Sequence, residues 1–176
     1  MIEGSVDLSW LDDRELYITE FVEETNTIWC GGYWIENGMS VPDMPAECTK
    51  VLQTYDHLAP GWAHQIAEKF DWVTSKIITV NCVKPGRCIP PHTDKCFRLY
   101  NNQTDTENLI PVRINIFLQD HTIGHFLQVG NTIYSDYKKG DFIIIKKDVV
   151  HTISNTSNHN RYTMQITGFT QGDHTQ

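Results

Sequence analysis

From Lys76 onward the chain is a succession of short runs rich in β-branched residues, broken by turn residues, with no helical pattern between them. Eight such runs are legible, near 76–83, 91–97, 111–118, 124–129, 132–136, 141–146, 149–154 and 161–168. Gly130-Asn131 between the fifth run and the one before it is a tight hairpin signal, and Lys139-Gly140-Asp141 is another turn. Closely spaced strands without intervening helices point to two packed antiparallel sheets. The expected fold class is therefore mainly β, a jelly roll.

The first part of the chain has a different texture. It carries all five tryptophans and the only helical periodicity. Val51, Tyr55 and Leu58 recur at i, i+4, i+7 within a segment from about 45 to 58. After a break at Pro60-Gly61, Trp62, Ile66 and Phe70 recur at i, i+4, i+8. Two amphipathic helices are expected, packed on the outer face of one sheet. Tyr17-Ile18-Thr19 and Phe21-Val22 read as an outer strand, and Gly31-Gly32 as a turn. Trp10, Trp29, Trp34, Trp62 and Trp72 read as core and helix-packing residues. A chain of 176 residues then divides, within one domain over 1–176, into a cover over 1–75 and an eight-stranded core over 76–170.

Charge excludes some partners. Lys and Arg number 14 against 22 Asp and Glu, a formal charge of −8. The only basic clusters, Lys138-Lys139 and Lys146-Lys147, sit beside strand ends. Binders of nucleic acid or anionic membrane need clustered cations, so neither partner is expected. The start of the chain, Met1 to Asp7, has no basic or apolar run, so no signal peptide is expected and cytoplasm is the default compartment. The five cysteines (Cys30, Cys48, Cys82, Cys88, Cys96) contain no C-x-x-C pair and read as free thiols.

Side chains alternate faces along a strand. Val112, Ile114, Ile116 and Leu118 share one face, leaving Arg113, Asn115 and Phe117 on the other. Tyr162, Met164 and Ile166 likewise oppose Arg161, Thr163, Gln165 and Thr167. The polar faces either meet solvent or line a cavity between the sheets.

A reason for a polar interior lies in His92-Thr93-Asp94 and His151. Residues i and i+2 on a strand project to one side, so His92 and Asp94 can converge on one ion. His151 from a neighbouring strand completes a triangular face. Two imidazoles and one carboxylate leave three positions of an octahedron open, the arrangement of non-haem Fe(II) oxygenases. In this reading the His-x-Asp opens the second of the eight strands and the distal His lies in the seventh. Arg161 starts the eighth, with Thr163 on its face, and an Arg-x-hydroxyl pair can grip a carboxylate.

These stretches resemble the Fe(II)- and 2-oxoglutarate-dependent dioxygenases, and locally their aspartyl/asparaginyl β-hydroxylase and prolyl hydroxylase branches. The match is carried by Pro91-His92-Thr93-Asp94, Val112-Arg113-Ile114-Asn115-Ile116, Lys139-Gly140-Asp141-Phe142, His151-Thr152-Ile153-Ser154-Asn155 and Arg161-Tyr162-Thr163, about half the chain. The resemblance implies a cupin-like double-stranded β-helix with His92, Asp94 and His151 as catalytic iron ligands. It implies Arg161, helped by Thr163, on the distal carboxylate of 2-oxoglutarate. The β-hydroxylase branch has an Arg-x-His on the third strand near the other carboxylate. Arg113 matches that Arg, whereas Asn115 stands in place of the His, and both are carried as candidate cosubstrate residues. The long polar segment from Phe97 to Ile110 is a second departure, read either as a substrate lid or as a solvated excursion. Related halogenases lack the carboxylate, so Asp94 implies hydroxylation, with O₂ as oxidant and ascorbate as an optional reductant.

The implied substrate is an amino-acid or peptidyl side chain, or another small molecule. Two other readings stand beside this one: a cupin-like metal protein or isomerase that uses no 2-oxoglutarate, and a jelly-roll binding module with incidental histidines. His57, His64, His121, His125 and His159 are given no function.

Overall fold

A computed structural model describes residues 2–25, 35, 36, 38, 46–94 and 109–171. Among these residues eleven strands form two antiparallel sheets: β1 Gly4–Ser5, β2 Val22–Thr25, β3 Lys50–Gln53, β4 Thr74–Val83, β5 Arg87–His92, β6 Ile110–Phe117, β7 His125–Val129, β8 Thr132–Tyr134, β9 Asp141–Lys146, β10 His151–Asn155 and β11 Arg161–Thr170. The larger sheet has the order β1-β9-β6-β11-β4-β3-β2 and the smaller the order β5-β10-β7-β8. Followed from β4, the chain crosses from one sheet to the other and back, so that each sheet holds four of the last eight strands. That winding is a double-stranded β-helix, the jelly roll expected from the strand spacing.

Helix α1 (Asp13–Ile18) begins at Asp12, whose carboxylate accepts from the Arg14 amide. Helix α2 (Gly61–Glu68) follows Pro60 and buries Trp62, Ala63, Ile66 and Ala67. Those side chains join Leu16, Phe70, Val80, Ile114, Ile116, Met164 and Ile166 in a cluster on the outer face of the larger sheet. A second cluster, with Phe117, Leu127, Tyr137, Ile143, Ile145 and Ile153, lies between the sheets. The helix over Trp62, Ile66 and Phe70 is thus where the periodicity placed it, on one face of the sheet.

The other N-terminal expectations need correction. The segment from 45 to 58 is not a helix among its described residues: it makes a 3-10 turn (Ala46–Thr49), strand β3 and a second 3-10 turn (Asp56–Leu58). Its periodicity was coincidental, for Val51 is 1% exposed and Leu58 47%. Strand β3 instead extends the larger sheet, pairing Leu52 with Cys82 and Gln53 with Asn81. Tyr17 and Ile18 end α1, and the outer strand forms later, at Val22. The turn at Gly31-Gly32, and Cys30, Cys96, Trp29 and Trp34, lie outside the described residues, as does the polar segment apart from Leu109 and Ile110.

Two connections hold the barrel closed. Gly140 at φ +95° passes so near β1 that a Cβ there would lie 2.1 Å from the Val6 carbonyl oxygen, a close approach open only to glycine. Asn155 donates to the Val83 and His159 carbonyls, both at 2.7 Å, while its Oδ1 accepts from the Ser157 amide and hydroxyl. No described helix is long and apolar enough to cross a membrane.

Candidate metal centre

Strand β5 runs over Arg87–His92, so the His-x-Asp closes that strand and does not open it. Pro90 and Pro91 are accommodated because β5 is an edge strand of the smaller sheet. His92 is its last residue and stands opposite His151, the first residue of β10. Directly opposed residues project to the same side, and the two rings lie 4.2 Å apart between centroids. Asp94, two residues past the strand, completes the triad. One ligand atom from each of His92, Asp94 and His151 falls within 4.8 Å of the others, and together they could hold a metal ion.

Both imidazoles are oriented by their own backbone. His92 Nδ1 lies 2.8 Å from the Pro90 carbonyl oxygen, and His151 Nδ1 lies 3.0 Å from that of Val149. A carbonyl only accepts, so each Nδ1 carries the proton and each Nε2 carries the lone pair. The Nε2 atoms face the carboxylate, His92 at 3.9 Å from Oδ1 and His151 at 3.3 Å from Oδ2. Burial lowers the pKa of both, that of His151 to about 4, which keeps the rings neutral and able to ligate. Burial pushes Asp94 up, but the neighbouring positive charge, that of the Arg113 guanidinium foremost, outweighs it and leaves the carboxyl below its usual range. Asp94 Oδ2 is buried without a hydrogen bond of acceptable geometry, although Arg113 Nη1 forms an ion pair with it. Two neutral nitrogens and one ionised carboxylate within reach of one another fit a divalent transition metal.

The face carrying Arg113, Asn115, Arg161 and Thr163 turns inward. Arg161 and Asn115 are 0% exposed and Thr163 is 1% exposed, which decides for the cavity over solvent. Antiparallel register sets Arg113 opposite Thr167, Asn115 opposite Gln165 and Phe117 opposite Thr163. Along β6 this orders Arg113 on the triad's carboxylate, Asn115 next, and Phe117 last, with the Arg161 guanidinium 5.9 Å from the Phe117 ring centroid. Arg161 Nε, Nη1 and Nη2, Thr163 Oγ1 and both amide atoms of Asn115 have no hydrogen-bond partner among the described residues. Burial pulls the guanidinium pKa down against the opposing effect of Tyr137, yet arginine stays charged in proteins. A buried cation costs several kcal/mol unless it is paired, and among the described residues Arg161 has no hydrogen-bond partner, so this inner face can accept an anion.

Tyr137 was not singled out from the sequence. Its ring stacks on Phe117 at 3.7 Å, and its buried hydroxyl has no well-formed hydrogen bond. It sits in the connection between β8 and β9, where no periodicity marks a residue as inward-facing.

No family model matches the chain, and no curated protein matches it. A comparison with solved structures finds distant similarities. A Photorhabdus luminescens protein is 14% identical over 67% of this chain and 74% of its own, with a TM-score of 0.42. A predicted oxalate decarboxylase from Thermotoga maritima is 13% identical, over 68% of this chain and 80% of its own, with a TM-score of 0.42. A cupin protein from Bacteroides fragilis is 18% identical over 57% and 70%, with a TM-score of 0.40. Likeness at this level concerns fold alone, and the double-stranded β-helix stands on the strand order.

Proposed function

We propose that the chain is a non-haem Fe(II)- and 2-oxoglutarate-dependent dioxygenase that hydroxylates an amino-acid or peptidyl side chain. The observation that carries this reading is Arg161, wholly buried and without a hydrogen-bond partner among the described residues, on the inward face of the sheet whose Arg113 pairs with the carboxylate of a His/Asp/His triad. His92, Asp94 and His151 would hold the iron, leaving three positions open. Bound iron supplies the oxidative chemistry, in which 2-oxoglutarate, O₂ and a C–H bond give succinate, CO₂ and an alcohol.

The protein's own contribution is placement. The Nδ1–H bonds of His92 and His151 fix which nitrogen each ring presents. Arg161 and Thr163 would take the distal carboxylate of the cosubstrate, supplying two or three charge-assisted bonds. The apolar cluster of Phe117, Leu127, Ile143 and Ile153 keeps water from that compartment. A cupin-like metal protein without 2-oxoglutarate would use the same triad and leave Arg161 with no anion to bind.

The deciding experiment is anaerobic titration of Fe(II) and 2-oxoglutarate, watched for a weak visible charge-transfer band. Wild type should show the band and His151→Ala should lose it. Arg161→Ala should weaken the apparent 2-oxoglutarate affinity by about 10- to 100-fold, the worth of hydrogen bonds to a charged group. Absence of the band from wild type would sink the oxygenase reading. An unchanged affinity in Arg161→Ala would remove the carboxylate assignment.

A further inference from the structure

Arg113 comes from β6 of the larger sheet, whereas His92 and His151 come from the smaller one. Its side chain crosses the space between the sheets and places Nη1 on Asp94 Oδ2. The resemblance gave Arg113 to the cosubstrate. In this chain one arm of its fork is committed to the metal-site carboxylate instead. We infer that Arg113 is a positioning residue that holds one oxygen of Asp94, so that the carboxylate offers a metal ion a single oxygen.

Three observations converge on that role. First, Asp94 lies two residues beyond the end of β5 and takes part in no strand ladder among the described residues, so an external partner for its carboxylate has a restraint to supply. Second, each imidazole of the triad has an outer hydrogen bond, to Pro90 or Val149. Among the described residues, Arg113 is the only Lys or Arg paired with Asp94, and thus the matching outer partner for the third ligand. Outer partners of this kind orient metal ligands. Third, Arg113 is itself held on a strand with neighbours on both sides, Ile145 of β9 and Thr167 of β11. The anchor sits inside a sheet, the ligand two residues past a strand end.

The consequence is a count of coordination positions. A carboxylate can bind a metal through one oxygen or two. With Oδ2 held by Arg113, Asp94 occupies one position and the triad three, leaving three of an octahedron for exchangeable ligands. Without that hold the carboxylate can close on the metal with both oxygens and leave two. A cosubstrate that chelates through two atoms would then compete with O₂ for the last site.

The inference rests on the triad being a metal site, and the test separates the two. Mn(II) is added to wild type and to Arg113→Gln, and bound waters are counted by pulsed EPR in D₂O, with thermal melting as a folding control. Wild type should hold three exchangeable waters and Arg113→Gln two, with Mn(II) still bound. Carboxylate infrared bands of the Mn(II) form give a second measure on wild type alone, should the variant not fold: a wide splitting of the two stretches marks a single-oxygen ligand. Two waters or a narrow splitting in wild type would overturn the inference, as would three waters in the variant. If wild type bound no Mn(II) at all, the metal reading itself would fall and this inference with it.

Discussion

His125 begins β7 and is buried, its Nε2 3.4 Å from the His159 carbonyl oxygen and its Nδ1 without a partner among the described residues. Burial drives its pKa down to about 4, with Arg161 adding a smaller push the same way. The folded state therefore keeps this ring neutral at pH values where the unfolded chain protonates it. Its contribution is fully present above the unfolded value near 6.5 and is lost as pH falls towards 4, up to about 3 kcal/mol. His125→Gln should flatten the decline in stability between pH 6.5 and 4, measured by urea unfolding of the metal-free protein. An undiminished acid decline would show that the other histidines carry it. At this scale the sequence was informative where chemistry is local. His92, Asp94, His151 and Arg161 could be picked out because each sits in a short motif at a strand end. Tyr137 and the pairing of Arg113 with Asp94 could not, since one lies in a turn and the other joins two sheets.

The connection from β10 to β11 sets the span from His151 to Arg161, and Asn155 governs it through four hydrogen bonds to Val83, His159 and Ser157. Removing a buried amide leaves those partners unsatisfied. Asn155→Ala should lower stability by about 2–3 kcal/mol with little change in the urea m value. A loss under about 0.5 kcal/mol, the range of neutral surface changes, would mean that the turn holds its shape without it. The eight core strands were legible because β-branched runs and turn residues alternate regularly; all but β5 lie close to their expected bounds, whereas β5 (Arg87–His92) overlaps the expected 91–97 only at its end. The N-terminal elements were not. Three apolar residues at helical spacing fit the segment from 45 to 58, but tertiary pairing with β4 decided its conformation. Helix α1 carries only one buried residue, Leu16, too little for a periodic signal.

The larger sheet separates two cores, one under α2 and one facing the candidate site. Ile66 belongs wholly to the first. Ile66→Ala should cost about 2–5 kcal/mol and leave Mn(II) affinity unchanged within about twofold, as expected for independent sites. Calorimetry paired with Mn(II) titration reads both, and a larger change in affinity would show that strain crosses the sheet. The same division explains why α2 and the larger sheet's outer face could be read from hydrophobic pattern alone, while the inner face needed the structure: its residues mix arginine, amide and hydroxyl with apolar neighbours. The edge position of β5 has a further consequence for how copies of the molecule meet. Unpaired amides on an exposed strand invite another chain to dock and grow the sheet. Pro90 and Pro91 have no amide proton to offer. At these two positions the strand that delivers His92, an edge strand among the described residues, is thereby a poor template for another strand.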